Sequence, residues 1–199
     1  MKIRVMLAFV TLAVCLTCSH AFAASYKSTD GSLVVNASDI GYGTGRVIAT
    51  GSAYVKQVDK IKKTTFEAYA AKIVVIFAET PVASAGVNKT SIKSADLSGP
   101  VKLIYVTVDP KGVTSKVTST ADNANYDGKS QLAYLKGHVN ITNENSSLFD
   151  TPAVMTGDKA TVNLDPNLGP DDIRFKVESA PGLSTITATP KAKTQDQEK

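Results

Sequence analysis

Residues 49–57 read ATGSAYVKQ. Val47, Ala49, Gly51, Ala53 and Val55 fall on one face of an extended chain, and Arg46, Thr50, Ser52 and Lys56 fall on the other, where Ile48 and Tyr54 are the exceptions to a polar face. Alternation over this length describes a half-buried strand, or two strands joined at Gly51. Whether the stretch stands alone or repeats decides the architecture.

It repeats. Gly51-Ser52-Ala53-Tyr54-Val55 is followed by Gly99-Pro100-Val101-Lys102-Leu103 and by Gly137-His138-Val139-Asn140-Ile141. Each glycine precedes apolar residues two and four positions on. A second pattern interleaves with the first. It starts at Ala37, Ala68, Ala121 and Gly157, where a small residue is followed by apolar or small ones three and five positions later. Positions zero and three point to opposite faces of a straight strand, so a bulge or bend must separate them if all face inward. Glycines at such corners suit strands that turn from one layer into another. Stacked units of this kind predict an all-β fold, an elongated, twisted, open jelly roll or solenoid-like double sheet built from repeated hairpins. The longest insertion in the pattern is expected around Glu79–Asn88. Helical periodicity with caps at both ends is absent from the sequence.

The inward alternates of this pattern are Val47, Ala49, Ala53, Val55, Ile73, Val75, Val101, Leu103, Val139, Ile141, Val162 and Leu164. An ordinary dry core and an apolar trough would both require such a set.

The chain's start reads as a secretory signal peptide over residues 1–23. Lys2 and Arg4 precede the apolar run Val5–Leu16, and Ala21-Phe22-Ala23 supplies a small-residue cleavage site. The mature chain would then hold 199 minus 23, or 176, residues, one domain's worth. Its body is expected over 24–188, with a polar, disordered tail over 189–199, TPKAKTQDQEK. Cys15 and Cys18 both lie in the leader, so the mature chain has neither disulfide nor thiol. Loss of Lys2 and Arg4 lowers the net charge from +4 to +2, too balanced to indicate nucleic acid. Aromatics make up 7% with no tryptophan, which gives no platform for stacking bases.

Chemistry is hard to place in this sequence. Gly41-Tyr42-Gly43-Thr44-Gly45 has Arg46 where a dinucleotide loop needs its third glycine, so it reads as a turn between strands. His138 is the single histidine of the mature chain and falls on an outward position. It anchors neither a metal cluster nor a catalytic triad. Asp171-Asp172 sits among glycine and proline and reads as turn chemistry. No cofactor is implied.

Asn36–Gln57, NASDIGYGTGRVIATGSAYVKQ, resembles the opening of the organic-solvent-tolerance-like domain family. That family favours an alanine–aspartate bend, a nearby tyrosine, and a glycine–x–valine strand start ending near glutamine. Ala121–Asp127 and Leu132–Ile141 continue the resemblance, which covers most of residues 26–165. Ser38 and Tyr69 stand where aspartate is common, and Ala53 where valine is usual. The resemblance implies a non-enzymatic periplasmic carrier or bridge of the lipopolysaccharide-transport type, with acyl chains sheltered along the inward alternates. Its cargo would be lipopolysaccharide or another glycolipid, and its partners envelope proteins with exposed sheet edges. It also implies end-to-end association of copies. The first strand is expected at Ser32–Ala37 and the last within Asp172–Val177, with the tail as an alternative cover for an edge. The rival reading is a structural or adhesive envelope protein with a filled core; a weaker one is a secreted hydrolase.

Overall fold

The computed structural model describes residues 24–78, 92–109, 111–145, 149–165, 167–169 and 172–191. The expected signal peptide, the expected 79–88 insertion, Asp171 and residues 192–199 of the expected tail lie outside the described residues. The alternating segments form six long antiparallel strands. They are β4 (Arg46–Asp59), β5 (Thr64–Phe77), β6 (Ile92–Val108), β7 (Thr114–Asp127), β8 (Leu132–Asn145) and β9 (Phe149–Asn163), each paired with the next.

Short strands complete both ends. β2 (Leu33–Ala37) and β3 (Asp39–Gly43) share the outer edge of β4, and β1 (Ala24–Lys27) covers β2. At the other end β10 (Phe175–Glu178) and β11 (Thr185–Pro190) share the outer edge of β9. Two expectations are corrected here. The expected first strand is an inner one, because β1 pairs with it on one side and β4 on the other. The expected last strand holds only part of one edge, because β11 lies beyond it in the chain. The backbone also remains in a strand through Thr189 and Pro190, two residues past the expected body.

The bends occur where the glycines predicted them. Gly51-Ser52 faces a single residue of β5, Ala71; Gly99-Pro100 faces Ala71 on one side and Asp122 on the other; Gly137-His138 faces Asp122 and Asp158. Each is a two-against-one bulge, which bends and twists its strand. Gly51, Gly99 and Gly137 have φ of 76°, 88° and 80°. A Cβ on Gly99 would lie 2.6 Å from the Ala71 Cβ, and one on Gly51 would lie 2.7 Å from the Ser38 Oγ. Glycine is therefore required there twice over, by backbone conformation and by close approach. The second bend falls at Ala70-Ala71 rather than at Ala68, so Ala71, not Tyr69, takes the position opposite the bulge.

The bulges run in a line across the strands and fold one continuous sheet onto itself. The two layers are thus halves of a single 11-stranded antiparallel sheet rather than two separate sheets. One layer holds β1, β2, β11 and residues 53–59, 64–70, 101–108, 114–121, 139–145 and 149–157; the other holds β3, β10 and the remaining halves. Small residues flank the fold line, among them Ala49, Ala53, Ala70, Ala121 and Ala124, all buried. They let the layers converge there.

Turns at the strand ends are built by aspartate. Asp59 accepts the Ile61 and Lys62 amides, Asp109 the Val113 amide and Asp127 the Lys129 amide. Hydrogen bonds from Ser28 and Ser32 hold the Asp30 pKa down at about 2. Asp172 closes its turn by accepting the Gly169 amide at 2.7 Å. For Asp172 this is the turn chemistry expected of Asp171-Asp172; the other carboxylates serve turns in the same way.

Candidate functional site

All twelve inward alternates are buried, none more than 9% exposed. The fold divides them evenly. Ala53, Val55, Val101, Leu103, Val139 and Ile141 line one layer, and Val47, Ala49, Ile73, Val75, Val162 and Leu164 line the other. The two sets belong to one apolar interior.

Aromatic side chains that the repeat only partly marks close this interior. Phe66 and Tyr126 meet across the layers with ring centroids 6.2 Å apart. The Tyr105 hydroxyl donates to the Leu164 carbonyl at 3.0 Å, joining residues 59 apart in sequence. Burial pushes the Tyr105 phenol up to about 12, opposed by nearby Arg174 and assisted by Asp165. Both residues had a sequence signal. Tyr105 continues the alternation Gly99, Val101, Leu103 by one step, and Tyr126 lies five positions after Ala121. At the N-terminal end Tyr26 stacks on Tyr42 at 5.8 Å and lies 6.2 Å from Phe77, an aromatic cluster across the layers in which Tyr42 stays 69% exposed. At the C-terminal end Phe175 and Val177 of β10 pack against the core instead. Ile186 sits opposite buried Met155 on the inward face, yet is 70% exposed.

The space between the layers is small. A cavity of about 120 Å³ opens between the β4–β5 turn and Gln131, and a second of about 140 Å³ lies toward Asn145. Tyr105 lines both and partitions them. Sites for drug-sized ligands measure roughly 300–1,000 Å³. Acyl chains beyond a short segment therefore fit only if the layers part.

Polar groups inside are few. Ser119 and Asn143 are buried on the inward face, and the Asn143 Oδ1 finds no hydrogen-bond partner among the described residues. His138 stands at a bulge with φ of 45° and its side chain 92% exposed. Its Nδ1 lies 2.9 Å from the Asp122 Oδ2, and that hydrogen bond, then the Asp122 charge, raises the imidazole pKa. Among the described residues no three histidine, cysteine or acidic side chains gather as metal ligands.

A single antiparallel sheet folded along a line of bulges, apolar within and open at its ends, defines an LptA-like β-jelly roll. The chain is similar in structure to LptH, the LptA-homologous periplasmic component of the lipopolysaccharide transport device from Pseudomonas aeruginosa. The TM-score is 0.51 at 12% identity, over 79% of this chain and 95% of that one. No family model matches the sequence, and no curated protein matches it. The likeness is therefore one of fold.

Proposed function

We propose that this protein is a periplasmic lipid carrier or bridge of the lipopolysaccharide-transport type, not an enzyme, sheltering acyl chains between the two layers. The observation that carries this reading is the LptA-like fold, which encloses two facing sets of six small and branched apolar side chains. Each methylene taken from water contributes about 0.8 kcal/mol, and this is the gain that favours parting the layers around a chain. Lipopolysaccharide or another glycolipid is the cargo, and envelope proteins with exposed sheet edges are the partners.

The unequal ends support a bridge. Edge strands β1 and β3 meet through the stacked pair Tyr26 and Tyr42, whereas β10 packs Phe175 and Val177 on the core and β11 leaves Ile186 exposed. Pairing of unlike ends is heterologous and builds open filaments rather than closed dimers. The second reading, an envelope protein with a filled core, draws on the small cavities and the Tyr105–Leu164 tie.

Mass spectrometry of lipid extracted from protein purified out of envelope fractions separates the two. The carrier reading expects co-purifying glycolipid that Ala53→Phe removes, since Ala53 is 1% exposed at the fold line. Protein that brings no lipid, or an Ala53→Phe variant that brings the same amount, supports the filled core.

A further inference from the structure

The cavity at the mouth of the fold is polarised. Its inner wall is Phe66, Ile73, Ala95, Tyr126 and Leu164, while Gln57, Asp59, Lys62 and Gln131 stand at its outer end. Lys62 also lines a larger depression of about 500 Å³ with Lys63, Asp109 and Arg174. An apolar chamber thus meets a charged vestibule at one side chain.

The vestibule is cationic in balance. Lys62, Lys63 and Arg174 face Asp109, with Asp59 at the join. Both carboxylates are drawn to backbone donors: Asp59 accepts the Ile61 and Lys62 amides at 3.0 and 3.1 Å, and Asp109 the Val113 amide at 2.8 Å. Arg174 is held in place by donating to the Asn163 and Asp165 carbonyls. Ile61, 87% exposed beside Lys62, adds an apolar contact at the rim.

We propose that this mouth is a binding site for one anionic single-chain amphiphile, its chain end in the 120 Å³ chamber and its head group among Lys62, Lys63 and Arg174. The proposal rests on the lipid-carrier reading for its class of ligand and adds where and in what orientation a chain first enters. The size argument is direct. An apolar cavity of about 150 Å³ stays dry and accepts benzene, so a chamber slightly smaller takes one chain end and not several. The Tyr105–Leu164 bond and the Phe66–Tyr126 contact keep the layers closed beyond it. A chain end seated here adjoins both ties, and a lipid with more chains would proceed inward only by breaking them. Charge sets the orientation, because an anionic head gains the two lysines and the arginine while a cationic head meets them with repulsion.

The test is titration of the ¹⁵N-labelled protein with sodium decanoate, and separately with decyltrimethylammonium, below their micelle concentrations. Saturable amide shifts at Phe66, Ala95 and Gln131 are expected with decanoate, at an affinity at least tenfold above the cationic probe. Ala95→Leu, which fills the chamber, removes the decanoate shifts. Lys62→Glu with Lys63→Glu, on exposed positions that leave the core alone, abolishes the preference between the probes; this pair decides the matter if Ala95→Leu fails to fold. Equal binding of the two probes, shifts elsewhere only, or no saturable shift overturns the proposal. Protein that brings multi-chain lipid from the envelope yet ignores decanoate loses this site and keeps the carrier reading. Protein that binds decanoate but brings no lipid does the reverse.

Discussion

Tyr105→Phe separates holding the layers together from filling the space between them. The substitution keeps the ring, which is buried with 8% exposure, and removes only the hydroxyl that donates to the Leu164 carbonyl at 3.0 Å. A buried neutral hydrogen bond with a carbonyl left short of its donor costs about 1–2 kcal/mol. For a chain of this size each kcal/mol lowers Tm by roughly 2–4 °C, so the melting temperature should fall by about 2–8 °C. If lipid enters by parting the layers, the same bond opposes binding, and its loss should raise lipopolysaccharide affinity by about 5- to 30-fold. The two effects have opposite value to the protein and are read by thermal melting and by equilibrium binding of fluorescently labelled lipopolysaccharide. A variant that melts earlier without binding more tightly refutes the opening of this seam. The phenol also predicts an alkaline limb. Its folded pKa of about 12 exceeds the unfolded value near 10, so the folded state holds the proton longer. Its contribution is complete below pH 10 and is lost as pH rises from about 10 to 12; that loss should be smaller in Tyr105→Phe.

Three further outcomes follow from the geometry. Gly99→Ala places a Cβ 2.6 Å from the Ala71 Cβ at a φ of 88°, so the urea midpoint should drop by at least about 1–2 kcal/mol equivalent, the left-handed cost alone. Asn143→Leu removes a buried carbonyl oxygen that has no partner among the described residues, and urea unfolding should show stability unchanged or raised by about 1–2 kcal/mol. His138 should titrate above its ordinary value in an NMR pH series, and Asp122→Asn should bring it back toward 6.5, because the hydrogen bond and charge of Asp122 cause the shift. Its sign is that of a raised base: the contribution is present below pH 6.5 and disappears as pH climbs through the raised pKa.

Much of the fold was legible because two periodicities coincide in the chain. Alternation marks the faces, and glycines at 51, 99 and 137 mark where alternation must skip. The same logic found the twelve interior residues, since a face is all that burial in a folded sheet requires. The frame of the second bend was not legible, for a specific reason. Ala68 and Ala70 are two apart, so both face inward and alternation cannot choose between them; pairing with Gly99-Pro100 does. The edges were hidden as well. β1 has four residues and β11 is exposed at every position, so neither carries a buried face for its sequence to record. Nor does any local pattern announce the Tyr105–Leu164 tie or the cavity at the mouth. Both arise from closing the sheet on itself, which brings Tyr105 of β6 against Leu164 just past the end of β9.

The central claim is that lipid lies between the layers and not on their outer surfaces, and one strand can test it. Phe66 and Tyr69 are aromatic residues of β5 on opposite faces, Phe66 inward against Tyr126 and Tyr69 outward beside Tyr54. A photoactivatable benzoylphenylalanine at either position is bulkier than the native side chain. Because Phe66 packs on the core while Tyr69 is 39% exposed, thermal melting first checks that both variants fold. Irradiation in cells followed by lipid-specific detection should give a lipopolysaccharide adduct at position 66 and none at 69. Adducts of equal yield at both positions, or at 69 alone, would contradict the account.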